Sequence, residues 1–150
     1  MQPFTPAPRE SKDRFFQRLE WKTDRVLLDG LVFRLQHYRS DAWELGEECF
    51  VFYKTKPLVD QYARFLSTRL DFAPERIFEL GMWDGGSIAF WFELFQPCKH
   101  VAIDLADRED SSYFRRYRAS RGLAAGQLGV FSNSRSIQAP FYSYYPRRVP

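Results

Sequence analysis

Apolar residues recur along this chain in short runs whose period changes, and the changes divide it into elements. "RVLLDGLVFRLQ" (25–36) sets Asp29-Gly30 between two apolar runs. Asp-Gly in that setting predicts a two-residue β-hairpin turn, because both central residues take positive φ. "ECFVFY" (48–53) is apolar without a diagnostic period, so a strand and the lead-in to a helix both stay open. From Lys56 the spacing becomes helical: Leu58, Tyr62, Phe65 and Leu66 share a face, Thr55 can cap it and Pro57 suits the first turn. This predicts a helix over about 56–70. "RIFEL" (76–80) reads as a buried strand, and a glycine-rich turn follows it. "SIAFWFELF" (87–95) is apolar nearly all round, the mark of a helix covered on most sides. "HVAID" (100–104) reads as the next strand. "DSSYFRRYRASRG" (110–122) reads as a helix with Asp110 or Ser111 as cap and Gly122 as terminator.

Strand, glycine turn, helix, strand, helix over 76–122 is the order of parallel strands joined by right-handed crossovers. The expected fold class is therefore α/β, the opening half of a doubly wound, Rossmann-like sheet, preceded by a β-hairpin and helix extension. The expected division is a loose N-terminal arm over 1–24, the extension over 25–75, the sheet-forming unit over 76–125 and an atypical tail over 126–150. Residues 1–14 are polar and proline-containing. The tail has no acid, four serines and three prolines, and within it "GQLGVF" is a candidate edge strand.

Composition adds little to this pattern and removes several function classes. The chain has 150 residues, enough for one domain, with 45% apolar and 18% aromatic content to build a core. No apolar run approaches the roughly 20 residues that span a bilayer, and the N-terminus has no apolar signal-like region. Cys49 and Cys98 are too few for a disulfide framework, so a cytoplasmic location is expected. The net charge is +3, and three tail arginines (Arg135, Arg147, Arg148) account for it, leaving 19 basic against 19 acidic residues in 1–125. A neutral domain argues against a nucleic-acid face. His37 and His100 stand apart from each other and from the cysteines, so no metal site is expected.

The candidate chemistry lies in "FELGMWDGG" (78–86). In open parallel sheets ligands bind beyond the carboxyl ends of the strands. Glu79, Gly81 and Asp104 all fall at or just past such ends. Glycines let a ligand approach the backbone, and a carboxylate at a strand tip can accept the hydroxyl hydrogens of a ribose. A P-loop is excluded because no lysine follows Gly86. A dinucleotide turn prefers G-x-G-x-x-G, and counting from Gly81 puts Trp83 where the second glycine should meet a pyrophosphate. The pattern present is E-x-G-x-x-x-G-G, whose acid repels phosphate and suits a cationic ligand. A plain β–α turn at Gly81, Gly85 and Gly86, and a helix-capping or solvent-facing role for Asp104, remain the simpler alternatives. Trp83 and Trp91 read first as packing groups, although Trp83 on the loop is placed to flank a ligand.

"RIFELGMWDGGSIAFWFELFQPCKHVAIDL" resembles motif I through motif II of the class I S-adenosylmethionine-dependent methyltransferases. "FRLQHYRSDAWELGEECFVFYKTKPLVDQYARF" and "DSSYFRRY" are similar to a bacterial subgroup of that family, and the resemblance covers roughly residues 25–123. It implies that Glu79, Gly81, Gly85 and Gly86 form the turn around the methionine end of the cofactor, and that Asp104 binds the ribose hydroxyls. It implies methyl transfer to a small-molecule acceptor, which the sequence does not identify, and it names no general base. The chain departs from the family after Arg121: the third and fourth strands, with the adenine-binding residues and a "D-D-A-S-H"-like strand end, have no counterpart. The expectation is a truncated or frame-shifted methyltransferase whose family-like part ends near Ala125. Two parallel strands alone would leave sheet edges uncovered, so self-association through such an edge is expected. A non-catalytic Rossmann-like interaction fragment is the rival reading. A nicotinamide-dependent oxidoreductase is a third, disfavoured by Trp83.

Overall fold

The computed structural model describes residues 11–36, 48–105, 110–123 and 127–132. Within them the chain is mixed α/β, with four helices and seven strands. The elements are α1 (Lys12–Gln17), β1 (Glu20–Trp21), β2 (Arg25–Leu28), β3 (Leu31–Leu35), β4 (Phe50–Phe52), α2 (Lys56–Ser67), β5 (Arg76–Leu80), α3 (Gly86–Phe95), β6 (Lys99–Asp104), α4 (Ser112–Ser120) and β7 (Leu128–Ser132).

Two sheets form. The first has the order β1-β2-β3-β4. Its β2–β3 hairpin turns on Asp29 and Gly30, with φ of 47° and 83°, the doubly positive turn that matches strand twist. β4 then joins β3 in parallel, so "ECFVFY" supplies a strand, and all three of its residues are buried. The second sheet, β5-β6-β7, is wholly parallel. α3 connects its first two strands and α4 precedes its third.

α3 lies between the sheets, packing on β4 and on β6. Phe90 is fully buried, with ring contacts to Phe15, Phe33 and Phe52. Ile88, Ala89, Phe92 and Phe95 are buried as well. Being covered on two sides is the physical reason this helix is apolar nearly all round. α4 lies beside it: Tyr117 Oη donates to Glu93 at 2.9 Å and Arg121 Nε donates to the same oxygen at 2.8 Å. The Ser111 side chain caps α4 by accepting the Phe114 N–H. A single apolar cluster joins Phe15, Val26, Phe33, Phe50, Phe90, Ala102, Phe114 and Leu128.

The structure departs from the sequence reading at three places. The segment 1–24 contains α1, which Ser11 caps, and β1, which pairs with β2. Lys12 Nζ also donates to the Arg69 carbonyl, fastening α1 beyond the end of α2. Phe15 enters the core, so this half of the expected arm is structural. The helix expected over 56–70 ends at Ser67. The boundary expected at 125 cuts the second sheet, because Leu128–Ser132 adds a third parallel strand on β6. Residues 1–10, His37 and 133–150 lie outside the described residues.

The second sheet is covered unequally. Ile77, Glu79, His100, Ala102 and Asp104 share the face toward α3 and α4, following the register Ile77↔His100 and Glu79↔Ala102. On the opposite face Phe78 is 60% and Leu80 76% exposed.

Candidate functional site

Gly81 ends β5 in a left-handed turn, with φ of 78°, and its N–H donates to the Ile103 carbonyl at 2.8 Å. The turn closes onto the tip of β6. Asp104 Oδ2 accepts the N–H groups of Met82 and Trp83, both at 2.9 Å. Trp83 itself has φ of 52°. Positive φ is costly for a bulky side chain and persists where surrounding contacts enforce it.

Beside this turn lies a cavity of about 320 Å³. Glu79, Gly81, Met82, Trp83, Ser87 and Asp104 line it from the second sheet and α3, while Val51 through Lys54 close it from the end of β4. The volume is at the small end of the ~300–1,000 Å³ typical of ligand sites. A Cβ built on Gly81 would meet nothing within 4 Å, so the backbone there faces open space.

The expected site residues separate into two groups. Glu79, Gly81 and Asp104 come together at the carboxyl ends of adjacent strands and line the one cavity. Gly85 and Gly86 do not line it. A Cβ on Gly85 would stand 2.7 Å from the Phe114 ring, and one on Gly86 would stand 2.5 Å from the Val51 carbonyl oxygen. These two glycines admit α4 and β4 to the start of α3. Trp83 lines the cavity and meets Tyr53 edge-on at 5.8 Å.

Asp84 holds the turn from behind. It is 2% exposed, and its carboxylate accepts the Val51 N–H at 2.6 Å and the Gly86 N–H at 3.2 Å. Burial raises its pKa to about 6, against the opposing effect of those two hydrogen bonds. The glycine turn is thereby pinned to both sheets, at Asp104 and at Val51.

Charge inside the cavity is mixed. Glu79 and Asp104 are acids and Lys54 is the base. Glu79 Oε2 lies 3.4 Å from His100 Nε2, within ion-pair distance, yet this oxygen and both ring nitrogens of the fully buried His100 lack an aligned hydrogen bond among the described residues. Burial lowers the Lys54 pKa, and the Glu79 carboxylate opposes that shift. Lys54 Nζ sits 5.8 Å from the centre of the Trp91 ring. Tyr53, Lys54 and Asp84 were not singled out in the sequence. Lys54 lies between a strand and a helix in "YKTKP", and only the tertiary fold brings it to Glu79.

A larger cavity, about 650 Å³, lies along β5 between α2 and α3, lined by Tyr62, Phe65, Phe72, Phe78 and Phe95 among others. Its single charged lining residue is Arg76. It lies away from the Gly81 turn and Asp104, and it is the less suitable place for a ligand rich in hydroxyls. Among the described residues no cluster of His, Cys, Asp and Glu could hold a metal ion, and no helix is long and apolar enough to cross a membrane.

No protein-family model matches the chain, and neither a curated protein nor a solved structure matches it.

Proposed function

We propose that this chain carries the S-adenosylmethionine-binding half of a Rossmann-like methyltransferase. The observation that carries the reading is the convergence of Glu79, Gly81 and Asp104 on one cavity at the carboxyl ends of two adjacent parallel strands. The residues suit such a cofactor in three respects. Gly81 leaves its backbone open to close approach. Glu79 lines the cavity with a carboxylate, which suits an ammonium group. Asp104 sets a carboxylate on the cavity wall at the tip of β6, the kind of group that accepts ribose hydroxyl hydrogens.

The strand order supports the same reading. Stepping from β5 to β6 to β7 in one direction, right-handed crossovers put both connecting helices on one face. A doubly wound sheet covers its other face with the helices of strands wound in the opposite direction from β5. The exposed Phe78 and Leu80 lie on the face that such helices would bury.

When bound, the cofactor supplies an electrophilic methyl group on sulfur. The chain's own part is orientation. Asp104 holds the Met82–Trp83 segment, Trp83 and Tyr53 wall the cavity, and Glu79 fixes the amino end. Holding a methyl donor in line with an acceptor is the larger share of catalysis in such a transfer. The acceptor is proposed to be a small molecule.

Calorimetric titration with S-adenosylmethionine and with NAD tests the reading. Binding of the first alone, reduced in Asp104→Asn, supports it. Binding of NAD alone, or of neither by folded protein, rejects it. The second reading, a non-catalytic interaction unit, is favoured by the exposed apolar face at Phe78 and Leu80, and it predicts the last of these outcomes.

A further inference from the structure

β5 is an edge strand, and its outer side has no partner strand among the described residues. The Gly81 N–H donates to the Ile103 carbonyl and the Lys99 N–H donates to the Glu75 carbonyl. The odd-numbered residues along β5 therefore turn their backbone groups toward β6. By alternation, Arg76, Phe78 and Leu80 aim their N–H and C=O groups outward. Arg76, Ile77 and Phe78 all line the cavity of about 650 Å³, and three successive strand residues share one cavity only along the strand's edge. Its far wall is a set of rings that brace one another. Tyr62 of α2 meets Trp91 of α3 edge-on at 5.1 Å, Trp91 stacks on Phe95 at 5.9 Å, and Phe72 meets Phe95 edge-on at 5.8 Å. A row of outward backbone donors and acceptors beside an apolar trough is the arrangement that receives an added strand. The main chain supplies the bonds and the trough takes alternate side chains. Arg76 is the single charge on this lining, and its guanidinium makes no ion pair or hydrogen bond among the described residues.

We propose that this edge takes up an extended peptide segment of a partner protein, paired to β5 through Arg76, Phe78 and Leu80. The segment sets apolar side chains at alternate positions into the trough and a carboxylate at the Arg76 end, where the guanidinium supplies a charge-assisted hydrogen bond. The inference stands apart from the cofactor reading, because the trough shares no lining residue with the Glu79–Gly81–Asp104 cavity. A second copy of the chain is the poorer occupant. Pairing β5 with itself antiparallel about a two-fold axis keeps each residue on its own face. Ile77 and Glu79 of the copy would then stand on the helix side, setting a carboxylate against the aromatic wall. With Phe78 on the axis, each Arg76 would face Leu80 and remain without an acid. An alternating apolar segment that carries an acid at one end has neither defect.

Calorimetry on the full chain tests this with capped peptides in which valine and threonine alternate over the five-residue length of β5. An aspartate precedes the run for parallel addition or follows it for antiparallel addition. The better binder of the two is expected to lose about tenfold or more in affinity when its aspartate becomes lysine, and Arg76→Glu is expected to reverse that preference. Both Arg76 and Phe78 are exposed, so substitutions there leave the core intact. N-methylation separates strand pairing from simple apolar contact. Methylating the alternate N–H groups that face β5 is expected to abolish binding, and methylating the other set to leave it unchanged. Affinity indifferent to both sets overturns the added strand, and affinity indifferent to the charge swap overturns the role of Arg76. Failure of both peptides to bind folded protein overturns the proposal. Sedimentation velocity reads the rival occupant: a dimer that Phe78→Asp converts to monomer gives the edge to a second copy and overturns the partner segment. S-adenosylmethionine titrated into Arg76→Glu is expected to bind as it does to the wild type, so the two readings fail separately.

Discussion

Asp104 at the tip of β6 accepts the N–H of Trp83, 2.9 Å away, and Trp83 keeps a left-handed backbone in that bond. One carboxylate therefore shapes the turn while facing the cavity. Its removal has two separable consequences. Asp104→Ala leaves the Met82 and Trp83 N–H groups without this acceptor, at about 1–3 kcal/mol in unfolding free energy. Asp104→Asn keeps an acceptor for the turn and is expected to lose less stability, while still weakening nucleoside binding. Urea unfolding of the two variants checks this. Equal destabilisation would show that the charge, and not the acceptor geometry, supports the turn.

The glycines of the turn separate by what surrounds them. Gly85→Ala meets both a positive φ and the Phe114 ring, so backbone strain and overpacking combine to about 3 kcal/mol. Gly81→Ala meets only the strain, about 1–2 kcal/mol, because its surroundings are open. Denaturation midpoints should rank the variants in that order. Ligand affinity should respond more strongly at Gly81, the residue on the cavity wall. The reverse ranking in stability would contradict the packing assigned to Gly85.

Asp84 links stability to pH. Its folded pKa, about 6, lies above the unfolded value of 3.8, so between these values the folded protein holds a proton that the unfolded chain has released. Stability from this group is thus greatest at low pH and falls as pH rises through about 4 to 6, by at most about 3 kcal/mol. Asp84→Asn cannot ionise and is expected to lack that slope, at the cost of setting an amide NH₂ toward the Val51 or Gly86 N–H. Unfolding free energies at about pH 4 and about pH 7, taken as the difference between wild type and variant, measure it. A variant profile parallel to that of the wild type would rule out Asp84 as its source.

The legible parts of this chain are those with local causes. Asp29-Gly30 specifies its turn by backbone conformation alone, and β5, α3 and β6 are bounded by punctuation at Gly81, Pro97 and Asp104. Glu79 and Asp104 could be aligned because parallel strands of similar length bring their ends together. Other features depend on distant residues. α1 has six residues, too few to establish a helical period, and its order derives from Phe15 in the core and Lys12 on the Arg69 carbonyl. β7 is legible as the candidate edge strand in "GQLGVF", but only pairing with β6 fixes its place in the sheet. Gly85 and Gly86 are indistinguishable from Gly81 by sequence, since Phe114 and Val51 decide their role. Lys54 reaches the cavity only because β4 joins the first sheet and abuts the turn.

The central proposal is that the ligand occupies the Glu79–Gly81–Asp104 cavity. Amide proton–nitrogen correlation spectra, recorded while S-adenosylhomocysteine is added to the folded protein, test this residue by residue. The proposal predicts saturable shifts at Gly81, Met82, Trp83, Asp104, Tyr53 and Lys54. Saturating ligand that leaves these amides unmoved, or that shifts instead those of Phe65, Phe72 and Phe95 along the apolar cavity, would contradict it.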